Sequence, residues 1–154
     1  FTRPPLVDDL VTATLVAEPV CAVLPAGHPL AGRAELRLAD LAGEPWVLTP
    51  RGSWEPWHRK YDEDFRAAGF EPRVVQRADG VPSLLGLVAA GVGVTRLARS
   101  AHSLRRSGVA FVPLGGEQAK TVMAWHPARD RQAVRNLLDV AAGLAASIDL
   151  TEAG

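Results

Sequence analysis

Across residues 45 to 97 the apolar pattern repeatedly changes period. Short runs rich in branched and aromatic residues (45–50, 73–77 and 92–97) alternate with two stretches at helical spacing. The first stretch runs from a Ser53 cap through Trp54, Trp57, His58, Tyr61 and Phe65 to Gly69. The second restarts at Asp79-Gly80-Val81-Pro82, carries Leu84, Leu85, Leu87 and Val88, and ends at Ala90-Gly91. Strand, helix, strand, helix, strand is the order that builds a parallel sheet covered by helices, so the fold class expected is α/β. Further strands are expected at 10–16, 19–24, 109–114 and 121–125, with one helical turn in 36–43. Asp130 is expected to cap a last helix with Val134, Leu137, Leu138, Ala141, Leu144 and Ile148 on one face.

Composition narrows the function classes. The 154 residues include 17 basic and 17 acidic ones, which gives no electrostatic footprint for nucleic acid or an anionic membrane surface. The single cysteine, Cys21, excludes an internal disulfide and a cysteine-based zinc site, and fits a reducing cytoplasm. No apolar run approaches the ~20 residues that span a bilayer. His28, His58, His102 and His126 lie far apart, so no metal site and no cofactor is expected. Gly91-Val92-Gly93-Val94-Thr95 follows a helix and enters a strand. That is the reverse of a dinucleotide fingerprint, and it predicts a helix cap with tight helix-to-strand packing. Ser53 lacks the setting of a nucleophile elbow, and Cys21 sits in an apolar strand that would raise its pKa. No enzyme is expected.

Binding geometry remains. In open α/β sheets ligands sit beyond the carboxyl ends of the strands. Two such ends feed helix starts here, at 49–53 and 78–83. In the first, Thr49, Arg51 and Ser53 gather hydroxyls and a guanidinium suited to a bidentate carboxylate contact. In the second, Asp79 reads as a helix cap.

Three segments in order resemble the LysR-type transcriptional regulators. They are Glu18-Pro19 followed by a strand and then Leu24-Pro25-Ala26-Gly27-His28-Pro29-Leu30-Ala31; residues 38–47 (LADLAGEPWV); and residues 84–94 (LLGLVAAGVGV). A proline usual after the last segment is absent, and Arg96 and Arg99 occupy that region. The resemblance implies an effector-sensing domain similar to type 2 periplasmic binding proteins, with a small molecule held between two α/β lobes. Mapped onto this chain, residues 1–17 would end lobe I, 18–25 would cross over, 26–119 would form lobe II, 120–127 would cross back, and 128–154 would return to lobe I. The chain would then open inside an incomplete lobe I, with the DNA-binding helix-turn-helix upstream of it. The family's pocket would correspond to Phe1, Thr2 and Arg3, then Thr49, Arg51 and Ser53, then Asp79 and Val81. Phe1-Thr2-Arg3-Pro4-Pro5 is similar to a stretch in regulators of aromatic-acid breakdown, which implies a small, aromatic or other, carboxylate as effector. A homodimer or tetramer in the cytoplasm, with no membrane contact, would follow. The alternatives are a transport solute-binding protein and a small α/β hydrolase.

Overall fold

A computed structural model describes residues 10–53, 55–104, 106–129 and 131–147. The chain divides into two compact units, one of residues Pro19–Glu117 and one of Phe1–Glu18 with Gln118–Gly154. Phe1, Thr2 and Arg3 lie outside the described residues.

The larger unit is built on parallel pairing. Strand β2 (Pro45–Leu48) leads through a 3-10 turn at Arg51–Ser53 into helix α1 (Glu55–Ala67), and strand β3 (Arg73–Arg77) leads into helix α2 (Val81–Ala89). β2 and β3 run parallel, with a register shift between Trp46 and Val47 that leaves Val75 bulged and 39% exposed. Only Val94 of the third expected strand joins this sheet, by a bridge to Trp46. The rest of that segment forms β4 (Thr95–Ala98), antiparallel to β1 (Val11–Pro25) from Val20↔Ala98 to Val23↔Thr95. The expected third parallel strand is therefore shared between two sheets.

Gly93 explains the switch. A Cβ at Gly93 would lie 2.5 Å from the Pro45 carbonyl oxygen, so only glycine lets the strand press this closely on β2. Gly91 has φ +74 and ends α2, with its N–H and that of Val92 donating to the Val88 and Leu87 carbonyls. The glycine pair thus serves capping and packing, as its position after a helix requires.

Two pairs of expected strands are fused. β1 runs unbroken through Ala17, Glu18 and Pro19, because the fixed φ of proline suits an extended chain. β5 (Val109–Trp125) runs on through Gly115-Gly116, and the sheet order is β4-β1-β5. The core of the larger unit gathers Val23, Val47, Leu84, Leu85 and Val88, flanked by Val81, Leu97 and Phe111. Each such aliphatic side chain contributes roughly 1.5–3 kcal/mol over leaving it in water. Beside it Trp46 meets Phe65 edge-on, with ring centroids 4.8 Å apart, and Phe65 meets Phe70 at 5.3 Å.

In the smaller unit, helix α3 (Gln132–Ala146) starts after an Arg131 cap position; Asp130 lies outside the described residues. Its expected apolar face divides. Val134, Leu138 and Ala141 are half-buried, whereas Leu137 and Leu144 are exposed, and Ile148 lies outside the described residues.

Candidate functional site

Parallel pairing sends the carboxyl ends of β2 and β3 to the same edge, so their following loops meet. The Ala78 N–H donates to the Leu48 carbonyl at 3.1 Å. Arg77, the last residue of β3, donates from Nη1 to the Thr49 carbonyl at 2.7 Å. The Ser53 hydroxyl donates to Asp79 Oδ1 at 3.4 Å. Four of the residues singled out in the sequence, Thr49, Arg51, Ser53 and Asp79, therefore belong to two loops joined by hydrogen bonds. Val81 opens α2 and packs against the apolar core.

Three local roles differ from expectation. Helix α1 starts at Glu55, and Ser53 ends the 3-10 turn before it, with its hydroxyl turned to Asp79 rather than to the helix. The cap position of α2 is Gly80, at φ +75 and without a side-chain cap bond, so Asp79 is not the cap. Arg51 is already engaged: Nη1 and Nη2 donate to the two oxygens of Asp62 at 2.8 and 3.0 Å. The fork that suits a ligand carboxylate suits an internal one equally well. The Arg51 hydrogen bond holds the Asp62 carboxyl below the usual carboxylate range.

Two residues that sequence reasoning assigned no binding role stand at the same place. His58, in the first turn of α1, is only 3% exposed. Its Nε2 lies 3.2 Å from Thr49 Oγ1 and 3.1 Å from the Pro50 carbonyl oxygen. Burial pushes its pKa below the ordinary value; the Pro50 bond opposes this, and the positive charges of Arg77 and Arg51 add to it. Arg77 is half-buried and pairs with no carboxylate among the described residues. Its one sequence signal was its place as the final residue of a strand that feeds a helix.

An open groove of about 660 Å³ runs past the Arg51–Asp62 pair over Phe65, Phe70 and Pro72. Its volume is in the ligand range, but of the two arginines that line it Arg51 is already neutralised by Asp62. Among the described residues no group of three or more His, Cys, Asp and Glu side chains could hold a metal ion. No helix among them is long and apolar enough to cross a membrane.

Residues 1–146 match the family model for the LysR substrate binding domain. The chain is 37% identical over 116 residues to the HTH-type transcriptional regulator TtuA of Agrobacterium vitis, which covers 74% of this chain and 38% of that protein. The chain thus spans well under half the length of that curated relative. Among solved structures it is similar to the C-terminal domain of a probable LysR family transcriptional regulator from Rhodococcus sp. RHA1, at 29% identity and a TM-score of 0.71, covering 88% of this chain and 69% of that one. It also shares its fold with the BenM effector binding domain solved with its effector benzoate, at 22% identity and a TM-score of 0.79, covering 97% and 69%. The fold is the α/β, type 2 periplasmic-binding-protein-like one of these effector domains. The chain belongs to the LysR substrate-binding-domain family.

Proposed function

We propose that the chain is the sensor of a LysR-type transcriptional regulator and holds a small carboxylate-bearing metabolite between two lobes. The observation that carries this reading is the meeting of the 49–53 and 79–81 loops at the carboxyl edge of a parallel sheet, in a chain that matches the family over residues 1–146. The division at Glu18 and Glu117 supports lobe II as residues 26–119, with crossovers at 18–25 and 120–127 and lobe I at 1–17 and 128–154. The proposed pocket residues are Phe1, Thr2 and Arg3 together with Thr49, Ser53, Asp79 and Val81. Arg51, tied to Asp62, shapes the first loop.

An effector that binds one lobe arrangement better shifts the population toward it, and only that difference in affinity can reach the DNA. DNA contact belongs to a helix-turn-helix outside this chain, which agrees with the net charge of zero here. The regulator acts as a cytoplasmic homodimer or tetramer.

Thermal unfolding with a panel of small carboxylates tests the reading, with benzoate as first probe because BenM was solved with it. A ligand at 100 times its Kd adds about 2.7 kcal/mol to stability. A concentration-dependent rise in melting temperature with at least one carboxylate is expected. Stabilisation by neutral sugars alone, with no carboxylate effective, would overturn it.

A further inference from the structure

His58 settles where the Thr49 hydroxyl proton points. The Pro50 carbonyl oxygen, 3.1 Å from His58 Nε2, can only accept a hydrogen bond, so Nε2 carries the imidazole proton. Thr49 Oγ1, 3.2 Å from the same nitrogen, then shares that proton as a second acceptor. The hydroxyl's own hydrogen is left to donate elsewhere, and it meets no acceptor among the described residues. The Thr49 carbonyl, meanwhile, is occupied by Arg77 Nη1 at 2.7 Å. Arg77 has five N–H donors, of which one is used there, and no carboxylate among the described residues balances its charge. The Thr49 hydroxyl proton and the remaining Arg77 N–H groups are therefore donors without an acceptor among the described residues.

We propose that the Thr49 hydroxyl and the Arg77 guanidinium form an oxyanion subsite, with His58 as the positioning residue that makes Thr49 a donor. The inference rests on the sensor reading above and adds to it which groups hold the carboxylate. Arg51 was the cation suggested by the sequence, but its charge is already balanced by a two-point contact with Asp62. Arg77 carries no such pair. An imidazole buried and flanked by two guanidinium groups stays neutral near pH 7, so it orients the hydroxyl without competing for the anion. The subsite accepts an oxygen anion or a carbonyl, and like-charge repulsion from the Arg77 guanidinium disfavours an ammonium group there.

Titration calorimetry of the full chain and its variants with benzoate, and with benzylamine as the opposite charge, tests the subsite. Charge-assisted hydrogen bonds of this kind make a loss of roughly tenfold or more expected for Arg77→Gln and for Thr49→Val. Thr49→Ser keeps the hydroxyl and is expected to stay within about threefold of the parent, as for any change that preserves the donor. His58→Phe is expected to weaken benzoate binding without touching the ligand. The melting temperature of each variant without ligand separates lost binding from lost folding. Unchanged affinity in folded Arg77→Gln and Thr49→Val, or equal binding of benzylamine, would overturn the subsite.

The imidazole supplies a readout that needs no ligand. Long-range proton–nitrogen NMR of the parent chain is expected to show His58 protonated on Nε2 at pH 7. A proton on Nδ1 would overturn the inference even if benzoate binds. If no carboxylate binds at all, the subsite falls together with the sensor reading. An Nε2 proton beside tight benzoate binding that survives all three substitutions would leave the sensor standing and remove this subsite alone.

Discussion

The two aspartates of helix α1 stand two positions apart, and each holds an arginine from elsewhere in the larger unit. Asp62 takes Arg51 where the two side chains are 38% and 61% exposed. Asp64 takes Arg96 where they are 14% and 4% exposed. The chemistry is the same and the surroundings are not. On the exposed side water already solvates both ions, so the pair adds little. On the buried side Arg96 Nη2 is shared by Asp64 at 3.0 Å and by Glu117, Lys60 also binds Asp64, and the guanidinium lies 4.5 Å over the Tyr61 ring. Arg96 Nε and Nη1 have no hydrogen-bond partner there, so the ion keeps a desolvation cost that only its carboxylates offset. The difference teaches that one arginine can change partners cheaply and the other cannot. The exposed face of α1 is available for binding chemistry, and the buried face is scaffold.

The strongest way to break this comparison is the same substitution on both faces. Asp64→Ala leaves Arg96 with Glu117 alone in a buried site, and about 3 kcal/mol of stability is expected to disappear. Asp62→Ala exposes Arg51 to water it already touches, and less than about 1 kcal/mol is expected to go. Urea unfolding of the two variants measures both. Equal losses would mean that burial does not separate the two faces. A smaller change sharpens the buried side: the Tyr61 hydroxyl donates to the Arg96 carbonyl at 3.3 Å. Tyr61→Phe keeps the ring under the guanidinium and is expected to cost about 1 kcal/mol, seen in the same unfolding curves.

Much of the larger unit was legible because its signals are local. Period-2 and period-3.6 apolar runs, with Pro50, Gly69 and Gly91 between them, mark β2, α1, β3 and α2 without knowledge of the rest. From their order the two loop edges follow. Pairing between distant residues was not legible. Nothing local says that Arg51 meets Asp62 eleven residues later, because that depends on how the 3-10 turn aims the chain at α1. Arg96 looked like a departure in an apolar segment, while its meaning lies in Asp64 and Glu117, 32 and 21 residues away. Asp79 fits a cap by residue type, yet the glycine beside it took the position through its positive φ. The fused strands escaped because Pro19 and Gly115-Gly116 are turn residues that an extended chain also tolerates.

Acidity separates the loop side of α1 further. The folded-state pKa of His58 is lowered from the ordinary 6.5, chiefly by burial. Unfolding then binds a proton in the window between the lowered value and 6.5, so stability is full above that window and falls as pH drops through it. His58→Gln removes the titrating group, and its stability relative to the parent is expected to improve as pH falls from 7 to 5. Parallel pH dependences in parent and variant would show that His58 is not buried as a neutral imidazole.

The smallest effect belongs to the exposed pair itself. Arg51→Ala removes both bonds to Asp62, yet the Asp62 carboxylate regains water, so at most about 1 kcal/mol is expected at low salt. Screening shortens the reach of exposed charges to about 3 Å at 1 M salt, so the gap between parent and variant should shrink there. The sign with acid also follows. Asp62 has a folded-state pKa below the ordinary 3.8, so its contribution is present above 3.8 and is lost as pH falls through the lowered value. Melting temperatures of parent and variant, compared in low and high salt and then below pH 4, check both trends. A gap that survives high salt would place Arg51 with Arg96 among the residues the scaffold depends on, and the contrast between the two faces of α1 would fail at its exposed end.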